Sequence, residues 1–315
     1  MERIKKYVSG GKLSLFVALV VMWVIFSMLS PYFFTTQNSI NILVAASLMG
    51  LVAIGETYLL IGGLVDLSPG STAALSSVIV AILLRSGLNM GLAIIISIII
   101  GIFIGMINGI IVNKLEIEPF IATLASMTIV RGAAFIFSGG KPIFVSNKNF
   151  ILLGKTRVLG IPIPVLILIA VFIIFGIILG RTSFGRNIYV IGGNKKASFL
   201  AGLNPQKMTL ILYMIMGGLS ALGGIILTSR LTSGQPAANI GLEFDAITAA
   251  VLGGTAFTGG VGTIFGTFLG VLILQGFNNG LLILNVPSFW QYVARGLLLL
   301  IALAFDYIRR QRRKK

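Results

Sequence analysis

Ten apolar runs, each set off from the next by a short polar or glycine-rich gap, constrain this chain more than any other feature. They fall at 13–30, 41–62, 70–84, 90–112, 119–138, 162–180, 208–229, 245–258, 262–284 and 289–306. A helix rises about 1.5 Å per residue, so the first run spans about 27 Å, enough for one crossing of a bilayer's hydrocarbon. Only 10% of the 315 residues are charged and 57% are apolar. A soluble globule of this size needs about a quarter of its residues charged to clothe its surface. The predicted fold class is therefore all-α: a polytopic membrane protein of about ten transmembrane helices, with no room for a large soluble domain. The runs at 70–84 and 245–258 are short and bounded by glycine. They are predicted to be broken or re-entrant helices, which membranes tolerate only where protein or water lines them.

The first run follows Arg3, Lys5, Lys6 and Lys12, which is also how a signal peptide begins. Its length, its ending at Ser30-Pro31 and the lack of a small-x-small cleavage site favour an uncleaved helix instead. The chain divides into an N-terminal segment 1–12, a membrane domain 13–306 and a basic tail 307–315. Lys and Arg number 24 against 8 Asp and Glu. That excess concentrates in 1–12, 181–207 and 307–315, with Lys114 in the short gap 113–118. By the positive-inside rule these segments are cytoplasmic, so both termini lie inside. The polybasic tail reads as a topological and lipid-binding element, and no nucleic-acid role is assigned to it. Five crossings in each half would place the halves in opposite orientation, the plan of an inverted repeat. Each half also has a polar, glycine-rich break, at 62–70 and at 253–262.

Cysteine and histidine are both absent. Thiolate catalysis, disulfides, a structural zinc site and histidine acid–base chemistry are excluded. Gly154-Lys155-Thr156 resembles the end of a phosphate-binding loop, but the required first glycine would fall at Asn149, so the motif fails. No metal or nucleotide is expected to bind this chain, and any ATP hydrolysis belongs to another one.

Candidate functional residues lie where polar groups interrupt apolar runs. In Gly62-Gly63-Leu64-Val65-Asp66-Leu67-Ser68-Pro69-Gly70-Ser71, Ser68 can cap a helix whose first residue is Pro69. Asp66 then sits near that helix's positive end, either beside a gate or as part of a tight, capped turn. Glu56, Arg131, Glu243, Asp245 and Arg295 fall in or at the ends of spans. Each must meet a partner, water or the protein interior, since an unpaired charge in lipid costs at least a few kcal/mol. The segment 181–207 is too polar to span. Within it, residues 195–203 can form a short helix after Gly192-Gly193-Asn194 that stops before Pro205, either docked on a cytoplasmic partner or resting on anionic lipid.

The ordered set of motifs resembles one family. Val65-Asp66-Leu67-Ser68-Pro69-Gly70-Ser71, Pro119-Phe120-Ile121-Ala122-Thr123-Leu124 with Arg131-Gly132, and Phe184-Gly185-Arg186 with Gly192-Gly193-Asn194, Ala197 and Gly202 are the first three stretches. The fourth runs from Ser229-Arg230-Leu231 through Gln235-Pro236 and Asp245-Ala246-Ile247 to Val251-Leu252-Gly253-Gly254-Thr255, Gly259-Gly260 and Phe277-Asn278-Asn279-Gly280. Together they are similar to the permease subunits of ribose-type ABC monosaccharide importers over about 13–306. That resemblance implies a transport subunit without enzymatic activity, in a bacterial inner membrane. It also implies a second permease copy or paralogue, an ATP-binding subunit that carries the ATP and Mg, and an extracytoplasmic sugar-binding protein. Gly193, Asn194, Ala197, Ala201 and Gly202 then mark the segment that couples to the ATPase. Glu56, Asp66, Ser68, Gln235, Asp245, Asn278 and Asn279 are pathway or gate candidates. The outward positives Lys141, Arg157 and Arg230 are candidates for docking the binding protein. The alternative is an ion-coupled secondary transporter of a small polar solute, for which Glu56 would be the working acid.

Overall fold

The computed structural model describes residues 2–314; the side chains of the basic residues in 1–12 and 309–315 lie outside the described residues. Thirteen helices carry the fold among them. The first half of the chain forms α1 (Glu2–Leu29), α2 (Thr36–Ile61), α3 (Pro69–Arg85), α4 (Met90–Lys114) and α5 (Pro119–Ser138). A compact cap follows: β1 (Ile143–Phe144), α6 (Lys148–Lys155) and the hairpin of β2 (Arg157–Val158) and β3 (Ile161–Pro162). The second half forms α7 (Ile163–Arg181), α8 (Ser183–Gly193), α9 (Lys195–Leu200), α10 (Pro205–Leu231), β4 (Ser233–Gly234), α11 (Leu242–Leu252), α12 (Ile264–Ile283) and α13 (Ser288–Lys314). β1 pairs antiparallel with β4, Ile143 opposite Gly234, and β2 with β3, Arg157 opposite Pro162.

Every apolar run is met by a helix. Among the described residues seven helices are long and apolar enough to cross a membrane, and Leu13–Leu29 and Pro69–Arg85 are shorter apolar helices. The run expected at 245–258 is shorter still: α11 ends at Leu252, and its 11 residues span only about 16 Å. Short polar side chains start these helices by accepting an N–H one turn in. Thr35 accepts from Asn38, Asn89 from Gly91, Asn204 from Lys207 and Thr263 from Gly266, while Pro69, Pro119 and Pro205 stand where no N–H is needed.

Burial sorts the helices into centre and rim. The apolar window of α2 is 78% buried and that of α13 only 6%. Ile129, Ile136, Phe137, Trp290, Leu300 and Phe305 are exposed on α5 and α13. A water-facing surface of that kind would drive aggregation; facing lipid it has no such cost. At the centre, α4 crosses α10 on a glycine stripe. Gly101, Gly105 and Gly109 recur every four residues and so share one face. A Cβ on Gly105 would fall on the backbone of Tyr213, and one on Gly109 would lie 3.0 Å from the Leu210 Cα. The stripe lets two backbones touch where apolar attraction between helices is weak and close packing holds them.

The two halves repeat one order: long helix, long helix, interior break, short helix, two long helices. In the first this is α1, α2, 62–68, α3, α4, α5; in the second α7, α10, 232–241, α11, α12, α13. α10 runs antiparallel to α2, since Arg230 near its end donates to the Val44 carbonyl early in α2 (3.3 Å). The counterpart of the 62–68 break is therefore 232–241. The pairing of 62–70 with 253–262 expected from their shared Gly-Gly is corrected: both follow helices that end at the same end of the bundle, which inversion forbids. Matching glycines marked matching helix terminations, not matching places in the repeat.

The stripe has a direct consequence for stability. Gly105→Ala should lower the apparent melting temperature in detergent, by overpacking that costs about 1–3 kcal/mol. Gly132→Ala, mid-helix with open space around its Cα, should hold or raise it. A thermal-unfolding assay on both variants checks the contrast.

Candidate functional site

Hydrocarbon offers no hydrogen bonds, so wherever the chain leaves a helix inside the bundle its backbone groups need protein partners. The 62–68 break answers this group by group. Gly62, Gly63 and Leu64 donate back to the carbonyls of Tyr58, Leu60 and Leu59 (3.1, 2.9 and 2.9 Å), closing the end of α2 with Gly63 at φ +75°. The Asp66 N–H points at Glu56 Oε1 (3.4 Å), the Leu67 N–H donates to Thr123 Oγ1 of α5 (3.1 Å), and the Ser68 N–H to Asp66 Oδ1 (2.7 Å). Tyr213 of α10 donates its hydroxyl to the Val65 carbonyl (2.9 Å). Glu56, Asp66 and Ser68 are all at most 1% exposed.

Asp66 thus spans the turn in front of α3, and α3 starts at Pro69 as the sequence predicts. Ser68, however, occupies the cap position without a capping hydrogen bond from its side chain. Its Oγ accepts from Asn108 Nδ2 of α4 (2.9 Å) instead. A partner forty residues away takes the Ser68 hydroxyl, and Asp66 holds the Ser68 N–H just ahead of the helix.

The break at 232–241 runs from the β1–β4 pair into the bundle. Arg131 of α5 donates through Nη1 to the carbonyls of Pro236 (2.8 Å) and Ala238 (2.6 Å). Gln235 is half-buried, its backbone N–H on Ser77 Oγ (3.1 Å) and its amide on Ser233 Oγ (2.8 Å). The Gly241 N–H meets Glu243 Oε1 (3.2 Å) at the start of α11. A Cβ on Gly70 would run into the Asn239 carbonyl and Glu243 Oε2. The starts of the two half-helices α3 and α11 therefore abut inside the protein. Their N-terminal ends carry partial positive charge, and Asp66, Glu243 and Asp245 stand at them. Several polar atoms here are buried with no partner among the described residues: Glu56 Oε2, Ser71 Oγ, Asn108 Oδ1, Asn239 Nδ2 and Glu243 Oε2. Two abutting half-helix starts ringed with unsatisfied polar groups are an arrangement that transporters use for polar solutes.

The remaining candidates are spread out. Asp245 lies 3.6 Å from Arg295 of α13, which joins the second half-helix to the rim. Asn279 and Asn38 exchange amide hydrogen bonds (2.9 and 3.0 Å), tying α12 to the start of α2. Asn278 is half-buried, with its Oδ1 unpartnered among the described residues. Lys141 and Arg157 are exposed beside α6, whereas Arg230 is half-buried and held by Val44.

At the opposite end of the bundle Thr182 caps α8 and Asn194 caps α9, accepting from Ala197 (2.9 Å). α9 is shorter than the predicted 195–203. It stops at Leu200, where Gly202 takes φ +84° and Leu203 donates back to Ser198 (3.1 Å). Gly193, Asn194, Ala197, Ala201 and Gly202 are all exposed. Phe199 and Leu200 are 68% and 85% exposed at the tip of this polar segment, a pair the sequence reading passed over. The signal was there: two large apolar residues in a stretch otherwise too polar to enter a membrane.

A polytopic helical bundle with paired interior half-helices defines the class: a multi-pass membrane transport permease. The chain belongs to the permease component family described for the branched-chain amino acid transport system, whose model matches residues 38–303. It is 44% identical to the ribose import permease protein RbsC of Bacillus subtilis over 94% of this chain and 92% of that one. It is 41% identical to the Haemophilus influenzae protein of the same name, over 92% and 91%. The L-arabinose transport system permease protein AraH of Escherichia coli is 42% identical over 94% and 89%. No solved structure matches the chain.

Asp66→Ala would strip the buried Ser68 N–H of its acceptor, which costs about 1–3 kcal/mol. Asp66→Asn keeps an acceptor oxygen. The apparent melting temperature should therefore fall clearly for alanine and little for asparagine, and a paired unfolding assay checks it.

Proposed function

We propose that this chain is the membrane-spanning permease subunit of an ATP-driven importer of a monosaccharide, with ribose the best-supported sugar. One observation carries the reading: 44% identity to a ribose import permease over 94% of this chain and 92% of that one. The relative named for L-arabinose, at 42%, points to the same size and class of solute, a small sugar rich in hydroxyls. The abutting starts of α3 and α11 fit such a cargo, since unsatisfied buried donors and acceptors are what hydroxyl groups replace water on. We place the pathway beside them, with Glu56, Asp66, Ser68, Gln235 and Asp245 as its polar residues and Asn278 and Asn279 as outlying gate candidates.

In this reading a separate cytoplasmic subunit binds ATP and Mg, and α8–α9 docks into it. The ring of Phe199 and the side chain of Leu200 would enter an apolar recess, with Asn194 and Gly202 fixing both ends of the docking helix. An extracytoplasmic sugar-binding protein would dock at the α6 end, where Lys141 and Arg157 can meet acidic groups. A second permease, identical or paralogous, completes the path, and both termini lie in the cytoplasm of a bacterial inner membrane. Closure of the ATPase on ATP would move α9, and the permeases would rock to open the pathway to one side and then the other. Tight sugar binding is left to the binding protein, because a permease that held its cargo strongly would release it slowly.

The direct test is ATPase activity in liposomes that contain this chain, the ATPase encoded beside it and the ribose-loaded binding protein. Stimulation by the loaded binding protein is expected. Phe199→Ser with Leu200→Ser should abolish that stimulation while leaving the melting temperature unchanged. No association with any ATPase, together with loss of uptake on Glu56→Gln, would point to ion-coupled transport instead. The docking arm is separate: Lys141→Glu with Arg157→Glu should weaken binding-protein affinity, most at low salt, where surface charges are least screened.

A further inference from the structure

Three pieces of backbone meet at the α8–α9 end with no side chain between them. The Gly260 N–H, in the loop after α11, donates to the carbonyl of Ile61, the last residue of α2 (2.8 Å). Gly192, near the end of α8, lies against that same carbonyl: a Cβ on it would overlap the Ile61 oxygen and sit 3.0 Å from the Gly260 nitrogen. A Cβ on Gly259 would lie 2.5 Å from the Gly192 carbonyl oxygen and 3.1 Å from the Gly63 Cα. A Cβ on Gly260 would lie 3.1 Å from the Gly193 Cα. Tyr189 of α8 adds a side-chain strut, donating its hydroxyl to the Gly262 carbonyl (2.8 Å). Gly259 and Gly260 have φ of +90° and +72°, so only glycine holds this loop without strain.

Each piece leads somewhere different. Ile61 opens the break that carries Asp66 and ends at α3. Gly260 sits between the end of α11 and the start of α12. Gly193 is followed at once by Asn194, the cap of α9. We infer that this junction is a rigid link, through which α8 and α9 displace the end of α2 and the α11–α12 loop as one body. The inference rests on the proposal that α9 docks an ATPase, and names how its motion reaches the pathway. Side-chain contacts can absorb a small shift by changing rotamer, whereas backbone packed on backbone has no such slack. A displacement of Gly192 must therefore move Ile61 and Gly260 or break the hydrogen bond between them. The two half-helix starts, joined to this junction by the 62–68 turn and by α11, would then be shifted in concert.

A chain without cysteine allows the link to be measured directly. Val190 and Thr258 are exposed and flank the junction, on α8 and on the loop. Spin labels on Val190→Cys with Thr258→Cys, and separately on Val190→Cys with Lys114→Cys, would be placed in the full complex with its ATPase and binding protein. Distances would be compared without nucleotide and with the ATPase trapped closed. The expected result is a 190–258 distance that does not change while the 190–114 distance does. Tyr189→Phe, which removes only the strut, should retain stimulated ATPase activity but lower uptake per ATP hydrolysed several-fold; Gly192→Ala should do so more severely. Gly180→Ala, in open space on α7, should behave as the original chain. A 190–258 distance that changes between the two states overturns the rigid link and makes the junction a gate. Unaltered coupling in both Tyr189→Phe and Gly192→Ala also overturns it. Failure of the original chain to bind any ATPase would instead remove the docking proposal beneath it.

Discussion

The lack of hydrogen-bond partners in the surrounding hydrocarbon is the condition on which this structure depends. A helix satisfies its own backbone, so the chain crosses lipid freely as helix, but each departure from helix needs donors and acceptors from elsewhere. At 62–68 the backbone partners from neighbouring helices are Thr123 of α5 and Tyr213 of α10, while Asn108 of α4 holds the Ser68 side chain. At 232–241 they come from Arg131 and Ser77. Side chains at these positions hold their own helices against the breaks. The placement of α3, α4, α5 and α10 is thereby fixed by the same groups that make the breaks possible, and stability and the candidate pathway cannot be altered independently.

The fold uses two unlike ways of ending a helix inside protein. The 62–68 turn is held by side chains, several of them charged or polar and fully buried. The 253–263 loop is held mainly by backbone groups, its own and the Ile61 carbonyl, with Gly254, Gly259 and Gly260 in left-handed conformations. The first kind leaves polar atoms facing the abutting half-helices and suits solute passage. The second packs its glycine backbone against neighbouring backbone, which suits mechanical contact.

Much of this was readable in the residues. Each apolar run became a helix, because a stretch that long has no other way to satisfy its backbone in lipid. Pro69 marked a helix start, and Gly192-Gly193-Asn194 marked the beginning of the short helix α9. Other features were hidden because they depend on distant partners. Ser68 follows the local capping rule in sequence but is claimed by Asn108. Arg230 reads as an outward surface charge until the end of α10 is seen to lie against α2. α8 was missed because Gly185, Gly192 and Gly193 depress helix propensity, and the reason for them is close approach: Gly185 packs on the Leu179 backbone and Gly192 on Ile61. The two Gly-Gly pairs looked like repeat partners because termination chemistry is local, while repeat symmetry is a property of chain direction.

The central claim is that solute passes beside the abutting starts of α3 and α11. Ser71 Oγ is fully buried there and lacks a partner among the described residues. Ser71→Cys, the only thiol in the chain, can be tested with a small membrane-impermeant reagent during turnover in the complete complex. The account requires it to be unreactive at rest, to become reactive when ATP and the loaded binding protein are present, and to be protected by excess sugar. A thiol that stays unreactive throughout measurable transport would contradict the account and move the pathway elsewhere in the bundle.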